Sequence, residues 1–556
     1  MMSRRLILSL LIGLTLFLTG IIYAALGPLG TDTRITTTGP AGNKEFDAFD
    51  PAVAYSSNND QYLVVWAGNA TTDTTSIYGQ LVTASTGTNT GVEFTIHNGV
   101  NSTRPAVAYN STNDQYLVVW QDIINSQAFI YGTLVNGDGT IANNAVQISA
   151  MGAAGFNAFY PDVTYNANSN EFMVVWFGRG PSEVEGENEV YGHRLDNAGA
   201  TTSNQIKISS MGGITHSAYH PAIAYNTSTQ RYLIVWHGDT NDVGTLVTDE
   251  YEIFGQFLNN TGDTIGSRFR ISEVQPDANS SYDAVYPDIT YNADSNQFLV
   301  AWMEDNNTIG DNTFEIYAQL LNGGGGQSGS DFRISTTLTG TAALPSITYN
   351  PNIDTYLVTW RGDTNADLGN GSLATDEFEI FGQMLDISAN ASGSNFRISS
   401  MGNTDGDATY QADHPMVIAN TNRSEFYVVW HGDDEIVSGG DPTVDNEVEI
   451  FSQRICGQGL PNTVSVTVTP SGTSANLTWP IDPNANTYEI YSHNDPNTNV
   501  NLLATTSNNS YEHLNAVGDT ALNHYYIIYA INGCSQFSSA SNHAGEFDVA
   551  IYGGTP

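Results

Sequence analysis

Read as a pattern of apolar and polar positions, the chain repeats itself. The unit is clearest at Pro51–Trp66, PAVAYSSNNDQYLVVW, where an alternating apolar run follows a proline. A polar turn comes next, then a continuous apolar run closed by tryptophan. Copies follow at Pro105–Trp120, Pro161–Trp176, Pro221–Trp236, Pro287–Trp302, Pro345–Trp360 and Pro415–Trp430. In all seven the tryptophan lies fifteen residues after the proline, while the spacing between copies runs from 54 to 70. A constant interior with variable spacers marks a structural repeat, which must be settled before any local motif is read.

Each repeat holds four short apolar segments: PAVAY-like, YLVVW-like, IYGQL-like and FRIS-like. They are β-branched and aromatic, and clusters of Gly, Asn, Asp and Ser separate them. That is the pattern of strands and turns, with no helical period. Four strands per repeat predicts a β-propeller blade. FRIS-like segments follow only six of the seven repeats, and Thr33-Arg34-Ile35-Thr36-Thr37 near the start resembles FRISTT at 332–337. The expected fold is therefore all-β, a seven-bladed propeller over 31–457 closed by the N-terminal strand, which leaves no exposed sheet edge. In such a blade the repeated tryptophan belongs to the packing between blades, and Arg270, Arg333 and Arg397 of the FRIS segments pair with nearby acids.

After Cys456 a short linker, Gly457-Gln458-Gly459-Leu460-Pro461, leads into about ninety strand-rich residues, the size of a β-sandwich. The motifs ANLTW (475–479) and YYIIYAINGCSQFSSASN (525–542) resemble a fibronectin type III domain, placed at 461–553, with Trp479 in its core. The resemblance implies a spacer or adhesion module. The repeats themselves resemble those of secreted bacterial propeller proteins with W…IYGQ…FRIS blades, a likeness that implies no single activity.

Charge narrows the partners. The 58 acidic residues face 16 basic ones, a net charge of −42. Nucleic acid and anionic membrane surfaces are disfavoured, since phosphate binding needs clustered Lys and Arg. Residues 1–25 read as a signal peptide: Arg4 and Arg5, an apolar run from Leu6 to Tyr23, then Ala24-Ala25. No second apolar span follows, so the expected location is secreted or cell-surface. In an exported protein the two cysteines, Cys456 and Cys534, permit one disulfide.

Candidate chemistry concentrates after the tryptophans. Those loops vary in length and, in repeats 3 to 7, carry 25 of the 58 carboxylates. They form an acidic loop face suited to hard cations. Asp363, Asn365 and Asp367, with a partial copy at Asp239, Asn241 and Asp242, space oxygen ligands for Ca²⁺, although Asp, Asn and Gly also make ordinary turns. His220 with His237, and His414 with His431, flank the Pro-to-Trp unit in repeats 4 and 7 as cross-strand neighbours. Asp239 or Asp433, followed by Asp434, lies close by in sequence. Two histidines and a carboxylate suit a transition metal, and polar residues capping strand ends give the same pattern. No Gly-x-Ser-x-Gly elbow, HExxH motif or phosphate-cradling glycine loop occurs. These observations lead to an expected exported, non-enzymatic protein binding an extracellular glycan or protein through the acidic face, with Ca²⁺ as its one cofactor. The alternatives are an extracellular polysaccharide hydrolase or lyase, and a structural cell-surface protein.

Overall fold

A computed structural model describes residues 27–36, 47–71, 74–151, 156–180, 187–212, 216–240, 246, 249–274, 282–305, 313–335, 341–363, 377–401, 410–433, 448–493, 501–517, 524–542 and 544–546. The N-terminal apolar segment and much of the loop after the tryptophan in repeats 3 to 7 fall outside them. The described residues contain strands and no helix. They divide into two compact units, the larger holding the repeats and the smaller holding the C-terminal region.

In the larger unit the four apolar segments of each repeat build an antiparallel four-stranded sheet in chain order. The first sheet shows the plan: Ala48–Ser56, Gln61–Thr71, Thr74–Thr83 and Thr88–His97. The last sheet takes its outer strand from the start of the chain, where Thr33 pairs with Ser452 and Arg34 with Phe451. The first strand of each sheet touches the first strand of the next, and Ala412–Asn420 of the last touches Ala48–Ser56 of the first. This is an all-β fold of propeller type.

Three repeated devices hold the sheets. The seven repeat tryptophans are buried to 1 % exposure or less, and Trp66, Trp120, Trp176, Trp236, Trp302 and Trp360 join the apolar clusters between neighbouring sheets, so none is a surface platform for a ligand. At the far end of the first strand a buried asparagine caps its own turn and reaches the adjacent sheet. Asn292, for example, accepts the Asp294 amide at 3.0 Å and donates to the Tyr356 hydroxyl at 3.0 Å. Tyr356→Phe would leave that amide hydrogen buried and unpaired, and should cost about 1–2 kcal/mol in urea unfolding.

The third device is a buried carboxylate at the head of the third strand. Glu252 meets Arg270 and Ser272, Glu315 meets Arg333 and Ser335, and Glu379 meets Arg397 and Ser399. Glu189 meets Lys207 at 3.2 Å and Ser209. Glu449 meets Arg34 and Thr36, carried in by the N-terminal strand. In each case the serine or threonine oxygen also accepts an amide of the third strand, as from Ile253 to Ser272 at 2.7 Å and Ile450 to Thr36 at 3.0 Å. The FRIS arginine is thus structural.

The smaller unit has a three-stranded sheet, Thr467–Ser471, Ser474–Thr478 and Ser510–His513, and a four-stranded one built on Thr487–His493 and His524–Ile531. Trp479, Tyr488, Leu477, Tyr526 and Ile528 fill its core. Cys456 and Cys534 are joined by a disulfide, with Cα atoms 5.9 Å apart.

Candidate functional site

The site begins with the fixed Pro-to-Trp interval. In the first sheet Phe49 pairs with Ala67 and Ala52 with Val65, so Asp50 and Pro51 together oppose Trp66 alone. The same two-against-one bulge falls at Arg104-Pro105, Tyr160-Pro161, His220-Pro221, Tyr286-Pro287 and Leu344-Pro345. Proline has no amide hydrogen to give the ladder, so a bulge suits it. The residue before it takes a left-handed backbone. The φ angles are 52° at Asp50, 54° at Arg104, 50° at Tyr160, 45° at His220, 53° at Tyr286, 54° at Leu344 and 49° at His414. Bulky residues adopt that region at a cost of roughly 1 kcal/mol or more each, and such outliers persist where the surroundings force them.

The seven left-handed residues do not scatter their side chains. All seven residues line one cavity of about 230 Å³ where the first strands meet, together with the seven prolines, Asp162, Asp288 and Met416. The strand that delivers each of them is nearly constant, and the delivered residue is not: Asp, Arg, Tyr, His, Tyr, Leu, His.

On one side lies a charged network. Arg104 Nη1 is 3.0 Å from Asp50 Oδ1 and 3.2 Å from His414 Nε2. His414 Nδ1 is 3.1 Å from Asp413 Oδ1, and Asp413 is also ion-paired with Arg361. Burial works to raise the Asp413 carboxyl, but the His414 hydrogen bond and the charges of His414 and Arg361 hold it well below the usual range. His431 stacks on His414, ring centres 4.9 Å apart, and accepts the Asp50 amide at 3.4 Å. Burial, with the neighbouring His414, pushes it down to about 3, so it is neutral. Donor atoms of Asp50, His414 and His431 lie within 4.8 Å of one another. The Arg104 guanidinium already bridges two of them, so the cation the geometry provides there is arginine.

The other side is aromatic. Arg104 lies 4.6 Å over the Tyr160 ring. Tyr160 meets His220 edge-on at 4.1 Å, and His220 sits 4.2 Å from Tyr286 and 5.2 Å from His237. Burial and the nearby Arg104 charge push His220 down to about 3, and burial holds His237 well below its ordinary value. His237 Nδ1 accepts the Tyr286 amide at 3.3 Å. Asp162 and Asp288 are half-buried and bridge adjacent first strands. Asp162 accepts the amides of Val163 and Ile223 at 2.7 and 2.9 Å, and Asp288 those of Ile289 and Ile347, both at 2.8 Å. Burial lifts Asp162 to about 7, with the charge of Asp288 adding to it, and Asp288 to about 6.

The histidine pairs named from sequence are therefore both brought together, with His220 and His414 facing the cavity and His237 and His431 behind them. Asp239 accepts His216 Nδ1 at 3.0 Å and the Ser217 amide at 2.7 Å, and the carboxylates next to His414 are Asp50 and Asp413. Asp433 is buried. Asp363 accepts the Thr341 amide at 2.6 Å. Asn365, Asp367, Asn241, Asp242 and Asp434 lie outside the described residues, as do residues 1–25.

The acidic loop face also shrinks, because Glu189, Glu252, Glu315, Glu379 and Glu449 are the buried anchors described above. Reading by loop length missed Asp50, Arg104, Tyr160, Tyr286 and Leu344. The signal for them was a variable position one residue before the proline, at the entry to the constant Pro-to-Trp unit.

No protein-family model matches the chain, and no curated protein matches it. Solved structures similar to it include an alpha-L-arabinofuranosidase from Lactobacillus brevis, at 11 % identity over 53 % of this chain and 98 % of that one, TM-score 0.31. A GH43 endo-arabinanase from Bacillus licheniformis is similar at 14 % identity over 52 % and 91 %, TM-score 0.28. A subtype N11 neuraminidase-like protein of A/flat-faced bat/Peru (H18N11) is similar at 9 % identity over 79 % and 98 %, TM-score 0.38. The expectation of a non-enzymatic binding or adhesion protein working through its acidic loops is corrected on this point. In this chain the titratable side chains converge on the central cavity, while five loop carboxylates are buried in structural pairs.

Proposed function

We propose that the chain is a carbohydrate-active enzyme, acting on polysaccharide outside the cell, with the central cavity as its active site. We read the larger unit as a closed seven-bladed propeller completed by the N-terminal strand, and the smaller as a fibronectin type III-like sandwich. The observation that carries the functional reading is the ring of seven left-handed residues lining the cavity. Strain is accepted at the same position in every sheet to aim a different side chain into one cavity, and stored strain of this kind clusters at functional sites.

The lining suits sugars. Tyr286 offers a ring face for apolar sugar surfaces, while a few convergent charged groups fix orientation. A histidine beside an arginine–carboxylate network supplies acid–base chemistry.

The test is release of reducing ends from a panel of extracellular polysaccharides. Activity should be found on at least one, and Asp50→Asn and His414→Ala should each lower kcat/KM by about 10²-fold while leaving the circular dichroism spectrum intact. A panel with no cleavage, or cleavage indifferent to both variants, would overturn the reading.

A further inference from the structure

We propose that the substrate is an acidic polysaccharide, and that the cavity cleaves it by β-elimination at a uronate unit, with Arg104 holding the carboxylate, His414 taking the proton and Tyr160 giving one. This rests on the reading of the cavity as a carbohydrate-active site and names its substrate class and reaction.

Arg104 is the one Lys or Arg among the residues lining the cavity, in a chain with only 16 basic residues. Asp50 and His414 both contact Nη1, so they fix the guanidinium while Nη2 and Nε keep the fork geometry that matches a carboxylate. The position of Arg104 matters as much as its charge. His414 lies against it on one side and the Tyr160 ring beneath it on the other. A uronate carboxylate held by Arg104 therefore brings its α-carbon between a base and a phenol.

Asp413 Oδ1, held by Arg361, lies 3.1 Å from His414 Nδ1 and favours the proton there, so Nε2, which accepts from Arg104 Nη1 in the free cavity, becomes the basic nitrogen when the guanidinium turns to the substrate carboxylate. Asp413 is a positioning residue. In the elimination His414 Nε2 removes the proton from C5. The electron pair forms the C4–C5 double bond, the C4–O bond breaks, and the departing oxygen takes the Tyr160 hydroxyl proton. The proton on His414 then returns to the phenolate through water. Charge balances without a further reactant, and Arg104 stabilises the negative charge that builds on the carboxylate. Hydrolysis by a carboxylate pair fits less well, because Asp162 and Asp288 each spend both oxygens on backbone amides.

The experiment gives the full chain polygalacturonate, alginate, a glucuronate-containing polymer and the carboxyl-reduced form of each, following reducing ends and ultraviolet absorbance together. The expected result is cleavage of an acidic polymer with one unsaturated uronate per new end, and none of its reduced form. His414→Ala and Tyr160→Phe should each lose about 10²-fold in kcat, and Arg104→Lys should raise KM about tenfold. Asp413→Asn should lower kcat and shift its pH profile, which a purely structural role would not do. Reducing ends without the chromophore would sink the elimination and leave the enzyme reading standing, as would cleavage of neutral polymers alone. No cleavage of any glycan would overturn both.

Discussion

Glu449→Ala should lower the free energy of unfolding by about 3–5 kcal/mol and release the N-terminal strand from the last sheet. Glu449 is fully buried, and both of its oxygens are used, one by Arg34 and the other by Thr36. Its loss leaves a guanidinium that is only 12 % exposed without this carboxylate. The equivalent Glu315→Ala also breaks a buried pair, but there Arg333 belongs to the next strand of the same sheet, joined by a turn. The Arg34 strand is held to its partner across 415 residues of sequence, so nothing local re-forms the contact. Amide exchange separates the two cases. The Ile35 amide, bonded to the Ile450 carbonyl at 2.7 Å, should lose protection in Glu449→Ala and keep it in Glu315→Ala. Equal protection of Ile35 in both variants would refute the role given to this pair. The double variant Arg34→Met, Glu449→Leu should regain much of the loss, since an apolar pair avoids the desolvation cost.

That strand was legible in the sequence because it shares a chemical motif with its counterparts. Thr33-Arg34-Ile35-Thr36 carries the same cation and hydroxyl, two apart, that Arg333 and Ser335 use on Glu315. The repeat itself was legible for a similar reason, since the second strand, buried between sheets, ends on tryptophan in every copy and is apolar before it save at Thr359. Glycine in the third strand follows the same logic: a Cβ on Gly132 would sit 2.8 Å from Ile148.

The cavity was harder to see. Periodicity treats the first strand as continuous and assigns Asp50 or Arg104 to its polar rim. The bulge opposite the tryptophan turns that residue inward, and a bulge leaves no trace in a two-residue alternation. The loop glutamates misled in the opposite direction. In sequence Glu252 and Glu379 look like members of an acidic rim, but one sits against Arg270 and the other against Arg397. Asp50, Asp413 and His414 come from opposite ends of the repeat array, and no spacing rule could have joined them.

The cavity carboxyls should make the protein less stable as pH rises through neutrality. Asp162 and Asp288 sit near 7 and 6 when folded, chiefly through burial, against an ordinary value of 3.8. A raised folded value means the native state binds protons more tightly than the unfolded chain. The contribution is therefore complete below about pH 4 and is lost as pH climbs through 6 to 7. After discounting for water in the cavity, each group should cost about 2 kcal/mol by pH 8. His220 and His431 work in the other direction. Their folded values near 3 lie below the ordinary 6.5, so their contribution is present above about 6.5 and lost as pH falls toward 3. Stability should peak in mildly acidic solution, which urea unfolding between pH 4.5 and 8.5 can follow. Asp162→Asn should flatten the fall above pH 6 whatever it does to the level, and an unchanged slope would rule out Asp162 as its source. The same ionisation adds two negative charges to the wall of a cavity proposed to hold a polyanion. KM for an acidic polymer should accordingly rise over the interval in which the stability falls.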